Sequence, residues 1–343
     1  MSKKILVTGA AGFIGFHLSR DLLGSGHEVI GFDNLNSYYD ISLKQARLDK
    51  LNKFSLENNY SWKFFKGNLE NKLELFKLFE KYEPSIIVHL AAQAGVRYSL
   101  INPEAYIQSN ILGFQNILDC SKEFNIRNLI YASSSSVYGG NTKTPFSEED
   151  EVNHPVSLYA ASKKANELFA HAYSHIYGIP STALRFFTVY GPWGRPDMAT
   201  MIFAKAILEK KPIRIFNNGD MQRDFTYIDD VIKAISRLIK KPATANPDFQ
   251  KESPDSSTSW SPHRIFNIGN SKPISLMHFI ETLESELGEK AIKTFEPMQL
   301  GDVKATYADT TKLNKWVGYQ PNTSINEGIK EFVDWFKYFY KSN

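Results

Sequence analysis

Lys4-Ile5-Leu6-Val7-Thr8-Gly9-Ala10-Ala11-Gly12-Phe13-Ile14-Gly15 decides how the rest of the chain is read. Lys4 to Thr8 is a short, apolar, β-branched run, the pattern of a strand buried in a parallel sheet. Three glycines spaced in threes follow at once, and a helical apolar pattern runs from about Phe13 to Leu23. Between a strand and a helix, Gly9, Gly12 and Gly15 give a tight turn, close approach to a pyrophosphate and close helix packing. The amino end of the helix, at Phe13 and Ile14, then holds the anion. His27 to Phe32 reads as a second strand. Asp33 ends it about twenty residues beyond the glycines, where a carboxylate accepts from an adenosine 2'-hydroxyl. The same carboxylate repels a 2'-phosphate, so NAD is favoured over NADP.

The alternation of strand and helix continues outward. Ser61 to Phe65 reads as a strand, Asn71 to Tyr82 as a helix and Ser85 to His89 as a strand. The last runs into Leu90-Ala91-Ala92, small residues that suit backbone lying against a flat ligand. Asn68 and Leu69, at the end of the third strand, are placed to touch adenine, and His89 is expected to be a hydrogen-bonded strand-end residue. Pro103 opens a long helix to about Phe124, and Asn128 to Ala132 forms the next buried strand. The pattern predicts an α/β fold, a Rossmann-type doubly wound parallel sheet with ligands beyond the carboxyl ends of its strands. Residues 1–185 are expected to form this NAD-binding domain. Residues 186–343 should form a smaller, mixed α/β substrate-binding domain, with the chain crossing back between the two.

The chemistry gathers at Ser133-Ser134-Ser135-Ser136 and at Tyr159-Ala160-Ala161-Ser162-Lys163. On a helix over Pro155 to Ile176, Tyr159 and Lys163 lie one turn apart on one face. Tyrosine ionises near pH ~10, and a neighbouring cation lowers that value by favouring the phenolate. Tyr159 is therefore expected to take a proton from a hydroxyl. After a strand over Ile179 to Arg185, Tyr190-Gly191-Pro192-Trp193-Gly194-Arg195-Pro196 reads as a rigid loop, followed by a helix over Met198 to Lys210. Ile213 to Phe216 is a short strand, Pro242 to Pro262 an exposed loop, and Ile274 to Leu287 and Ser324 to Tyr340 are helices.

Composition narrows the classes of partner. Lys plus Arg number 40 against 37 Asp plus Glu, and with no basic stripe a nucleic-acid partner is not expected. The single cysteine, Cys120, permits no intramolecular disulfide and points to a reducing compartment. No apolar run approaches the ~20 residues that would span a bilayer, so a cytoplasmic protein without membrane contact is expected. No metal-ligand cluster stands out.

The glycine turn, Ser134, and Tyr159 with Lys163 together resemble the extended short-chain dehydrogenase/reductase (NAD-dependent epimerase/dehydratase) superfamily. More narrowly, nearly the whole chain resembles the UDP-glucuronate 4-epimerases. That narrower likeness rests on Asp33-Asn34-Leu35-Asn36-Ser37-Tyr38-Tyr39-Asp40 and Gln93-Ala94-Gly95-Val96-Arg97-Tyr98-Ser99. It continues in Gly191 to Ala199, in Arg223-Asp224-Phe225-Thr226-Tyr227-Ile228-Asp229-Asp230 and in Arg264 to Asn270. Asn68 departs from relatives, which often carry Asp there.

The resemblance implies an NAD-dependent epimerase that holds its cofactor tightly. Tyr159 would take the proton of the sugar 4-hydroxyl while hydride passes to nicotinamide, and the resulting 4-keto sugar would turn and be reduced on its other face. Ser134 would share the proton path, Lys163 would bind the nicotinamide ribose, and Asn34 would join Asp33 at the cofactor. Ser135, Ser136 and Thr188 would donate to the C5 carboxylate of the sugar. Arg223 and Arg195 would meet phosphate or carboxylate, Phe216 the uracil and Arg97 the sugar, with Gln299 and Asp302 closing over the nucleotide. The helices after Pro103 and Pro155 would pair in a homodimer. A 4-epimerase of UDP-glucose or UDP-N-acetylglucosamine, a UDP-glucuronate decarboxylase and a non-catalytic NAD sensor stand as alternatives.

Overall fold

The computed structural model describes residues 2–299 and 303–341. Six strands, β1 (Lys4–Thr8), β2 (Glu28–Asp33), β3 (Trp62–Lys66), β4 (Ile86–His89), β5 (Asn128–Ser134) and β6 (Ser181–Phe186), join His263–Ile268 in one sheet. From edge to edge the order is His263–Ile268, β6, β5, β4, β1, β2, β3, and every pairing is parallel. This is a Rossmann-type sheet extended by one strand, as the alternation predicts. His263–Ile268 joins this sheet although it lies in the chain between Gln222–Tyr227 and Pro273–Ser275, which pair with each other in a second sheet.

Three helices fill the first crossovers, α1 (Phe13–Gly24), α2 (Ile41–Asn58) and α3 (Lys72–Tyr82). The sequence reading did not place α2. Its apolar contribution is thin, with Leu43, Leu48 and Leu51 buried beside Lys44 and Arg47. Its ends are nevertheless marked: the Asp40 side chain accepts from Ser42 N, and Asn59 closes the helix in the left-handed region.

Two expected helices are altered for local reasons. The Tyr159 helix spans Leu158–Tyr177, beginning after Pro155 because Ser157 Oγ accepts from Ala160 N at 3.1 Å and sets the cap. The run expected as one helix from Pro103 to Phe124 divides into Pro103–Tyr106, a π-helical turn at Ile107–Leu112, and Gly113–Glu123. Asn110 occupies that wider turn. Its side chain bonds both backbone groups of Gln93 and donates to Ser162 Oγ at 3.0 Å, while its carbonyl accepts from Asn166 Nδ2 at 2.6 Å. The turn is thereby tied to the Tyr159 helix.

The second half adds a three-stranded sheet, Pro273–Ser275, Gln222–Tyr227 and Thr188–Tyr190, and a parallel pair, Pro212–Ile215 with Ile292–Phe295. One core runs through both halves, from Ile5, Val7 and Leu22 by way of Ile232 and Ile235 to Phe279, Ile329 and Phe332. The Pro242–Pro262 stretch is exposed only in part, which corrects the expectation for it. Ser257, Ser259 and Ser261 are buried, and Ser259 and Ser261 bond His171 and His175 on the Tyr159 helix. Among the described residues, no helix is long and apolar enough to cross a membrane.

Glu148 is fully buried behind the serine turn, where its Oε1 accepts from Asn267 N at 2.8 Å and its Oε2 has no hydrogen-bond partner. Burial pushes its carboxyl up to about 7, against the Asn267 hydrogen bond. A value raised on folding means stability that is present below the unfolded carboxylate range and lost as pH rises through about 7. Glu148→Gln keeps an acceptor for Asn267 and removes the titration. Denaturant unfolding at pH 5 and pH 8 should show a wild-type loss that the variant lacks, on the order of 2 kcal/mol. Equal losses in both proteins would refute this.

Candidate active site

β1 and β4 lie side by side where the strand order turns back, and a cleft of about 380 Å3 opens beyond their carboxyl ends. Gly9 leaves β1 at φ +71°, and a Cβ on it would stand 2.8 Å from Ala91 N. A Cβ on Gly15 would overlap the Gly9 carbonyl. No side chain caps α1, so its first amides face the cleft lined by Phe13, Ile14 and Gly15. Asp33 stands beside them, its Oδ2 accepting from Ala11 N at 3.2 Å and its Oδ1 from Leu35 N at 2.9 Å. Burial pushes the Asp33 carboxyl up, and the Leu35 amide and the Lys44 charge oppose that rise. A glycine cradle without room for side chains, an uncapped helix end and a carboxylate at the end of β2 fit a dinucleotide.

Gly9, Gly12, Phe13, Ile14, Gly15, Asp33, Asn34, Leu69, Leu90, Ala91 and Ala92 all line the cleft with Tyr159 and Lys163. Asn68 does not. Leu69 takes the buried position beside Gly113, and Asn68 faces solvent with its carbonyl capping Asn71 N. His89 is buried, with Nδ1 2.8 Å from Thr8 Oγ1, and burial lowers it to about 3, which keeps it neutral as a strand-end residue.

At the reacting end, Ser134, Ser135, Ser136, Thr188 and Arg195 join Tyr159 on the lining. Ser134 Oγ donates to Ser136 Oγ at 3.1 Å and lines the cleft together with Tyr159. The electrostatics differ from the expectation that Lys163 makes Tyr159 acidic. Lys163 Nζ donates to Ala132 O at 2.9 Å, and burial lowers its own value to about 8. Burial pushes Tyr159 up, and what opposes it is the neighbouring Ser134 hydroxyl and the Arg195 charge. Arg195 is itself held by Asp197, Nε to Oδ1 at 3.0 Å and Nη2 to Oδ2 at 2.5 Å, while Tyr38 Oη donates to Asp197 at 3.1 Å.

The residues expected at the nucleotide end stand apart from this lining. Arg97 and Arg214 both lie over the Phe216 ring, at 5.2 and 5.1 Å, so Arg97 and Phe216 are engaged with each other. Arg223 Nη1 donates to the carbonyls of Gln222 and Lys304 at 2.8 and 3.2 Å. Gln299 is half-buried, outside the cleft lining, with its Oε1 unpartnered, and Asp302 lies outside the described residues. Among the described residues no cluster of His, Cys, Asp and Glu could hold a metal ion.

Sequence reasoning missed Lys44, Arg47 and Asp197 as parts of this site. Lys44 Nζ, on the lining, donates to Asn36 O and Oδ1 at 2.8 and 2.7 Å. Arg47 is fully buried and reaches Ala11 O at 2.8 Å and Trp193 O at 2.6 Å. The first two sit on α2, the helix whose cap residues could have announced it.

Residues 5–269 match the NAD dependent epimerase/dehydratase family. The chain is 54% identical to protein CapI of Staphylococcus aureus, over 98% of this chain and 99% of that one. It is 44% identical to a probable UDP-glucuronate 4-epimerase of Rhizobium meliloti, over 98% of each. A crystal structure of UDP-glucuronic acid 4-epimerase from Bacillus cereus in complex with UDP-glucuronic acid and NAD shares the fold at TM-score 0.85. That chain is 35% identical, and the match covers 98% of this chain and 100% of that one. A dinucleotide cradle on a Rossmann sheet, a Ser, Tyr and Lys set at its mouth and full-length relatives agree: the chain belongs to the NAD dependent epimerase/dehydratase family as an NAD-dependent epimerase, with UDP-glucuronate 4-epimerases among its relatives.

Proposed function

We propose that the enzyme inverts C4 of UDP-glucuronate to give UDP-galacturonate, through a 4-keto sugar. The observation that carries this is the convergence of Tyr159, Ser134 and Arg195 at the open end of the dinucleotide cleft. NAD, when bound there, supplies a hydride acceptor that returns the hydride to C4. Tyr159 takes the proton of the 4-hydroxyl and later gives it back, with Ser134 holding the oxygen. Lys163 lines the cleft and would bind the nicotinamide ribose, and Arg195 favours the Tyr159 phenolate. Ser135, Ser136 and Thr188 are uncharged donors suited to a C5 carboxylate, where a nearby carboxylate would add repulsion. They hold it in an orientation that slows decarboxylation.

The enzyme is proposed to act as a homodimer. Leu100, Ile101 and Ile107 are exposed near the π-helical turn, and Leu168, Phe169 and Ile176 are exposed along the Tyr159 helix. Together they leave an apolar face of the kind that two copies cover. Sedimentation should give a dimer for the wild type and a monomer for Leu168→Glu; a monomeric wild type would reject the assembly.

Tyr159→Phe should lose about 10²- to 10⁴-fold in turnover of UDP-glucuronate with no added NAD, while the purified protein still carries the cofactor. Retained turnover would overturn Tyr159 as the base. Carbon dioxide release from UDP-glucuronate should stay far below one per sugar converted. Stoichiometric release would identify a decarboxylase instead.

A further inference from the structure

Behind the serine turn lies a buried charged set that the reaction as described does not use. Ser133 Oγ donates to Glu167 Oε1 at 2.7 Å. Arg185 holds the same carboxylate with Nε to Oε1 and Nη2 to Oε2, both at 2.9 Å. Arg185 is fully buried, Glu167 nearly so, and the Arg185 guanidinium lies 4.9 Å from the centre of the Tyr138 ring. Ser133 and Tyr138 flank the turn that carries Ser134, Ser135 and Ser136. Glu167 sits one helical turn beyond Lys163 and two beyond Tyr159. The pair therefore fixes both ends of the serine turn to the helix that bears Tyr159.

We infer that Ser133, Glu167 and Arg185 are positioning residues that hold Ser134 within hydrogen-bonding reach of Tyr159. This rests on the proposed reading of Tyr159 as base. A buried bidentate pair is stiff, and a hydroxyl bonded to its carboxylate has one rotamer available. Freeing Ser133 lets the next residue move, which displaces the Ser134 hydroxyl from its place with Tyr159 on the cleft lining, where it opposes the upward push of burial on the phenol. The other groups facing Tyr159 remain in place: Arg195 and Asp197 from the Gly191–Met198 loop, Lys163 from its own helix and the Tyr106 ring.

Ser133→Ala removes the tether and leaves the ion pair intact. Turnover of UDP-glucuronate should fall about ten-fold with KM within about two-fold, as expected for loss of a hydrogen bond to a charged group. The acid limb of the kcat/KM profile should move to higher pH, and bound NAD and the melting temperature should stay at wild-type values. Glu167→Gln should lower turnover further, and adding Ser133→Ala to it should cost nothing more. If that variant fails to fold, Ser133→Ala decides alone. Wild-type turnover and an unmoved acid limb in Ser133→Ala would overturn the inference, as would a loss that tracks reduced NAD content or stability. Turnover retained in Tyr159→Phe would instead reject the underlying assignment of the base.

Discussion

One face of one helix meeting the end of one strand governs this molecule. Tyr159, Lys163 and Glu167 follow at intervals of one turn along Leu158–Tyr177, and all three reach the last three residues of β5. Tyr159 lines the cleft with Ser134, Lys163 bonds the Ala132 carbonyl and Glu167 bonds the Ser133 hydroxyl. The sheet is rigid because parallel strands support β5 on both sides, so the helix is oriented by a fixed edge. Asn110 ties the π-helical turn to Ser162 between Tyr159 and Lys163, closing the helix in from its other flank. A rotation of the helix by even part of a turn would break all of these bonds together.

The second constraint is electrostatic. Lys163 and Arg47 are buried cations whose hydrogen bonds go to carbonyls and, for Arg47, the Tyr39 phenol. Burial lowers the value of each, which measures how strongly the protein environment disfavours the charge. Cations held in this way beside a cleft favour an anionic ligand, and a dinucleotide brings its pyrophosphate to the same edge of the sheet. Arg47 also joins the Ala11 carbonyl of the glycine turn to the Trp193 carbonyl of the loop bearing Arg195. The cofactor cradle and the loop at the reacting end thus share one guanidinium, and neither can shift without the other.

Strong local signals made the first half legible. β1, the glycine turn, α1 and the end of β2 follow closely in sequence, each residue type there has a backbone reason to be present, and Gly9, Gly12, Phe13, Ile14, Gly15 and Asp33 line the cleft. Tyr159, Lys163 and Ser134 were legible because helical spacing alone puts the first two on one face. What escaped was encoded in side chains acting across the fold. α2 was missed because its buried face carries Lys44 and Arg47, polar residues that blur an apolar period. The break at Ile107–Leu112 depends on Asn110 finding Gln93 and Ser162, partners that no periodicity reveals. Arg97, Phe216 and Arg223 were assigned by resemblance; here Arg97 lies over the Phe216 ring and Arg223 bonds backbone carbonyls.

The tyrosine's environment shows why spacing and electrostatics must be argued separately. Four residues along a helix bring Lys163 near Tyr159, but nearness does not decide where an ammonium points. The Ala132 carbonyl at the strand end is the acceptor that claims it. Arg195 arrives from the opposite side of the cleft, and its bond to Asp197 fixes the guanidinium while diluting its charge. Burial still dominates, so the phenol of the protein by itself stays protonated at neutral pH. A cationic nicotinamide ring set beside Tyr159 would add the positive potential that the side chains alone do not supply. Tyr159, as the proposed base, would then become competent only in the complex, and the protein would spend no stability maintaining a buried phenolate before its cofactor is in place.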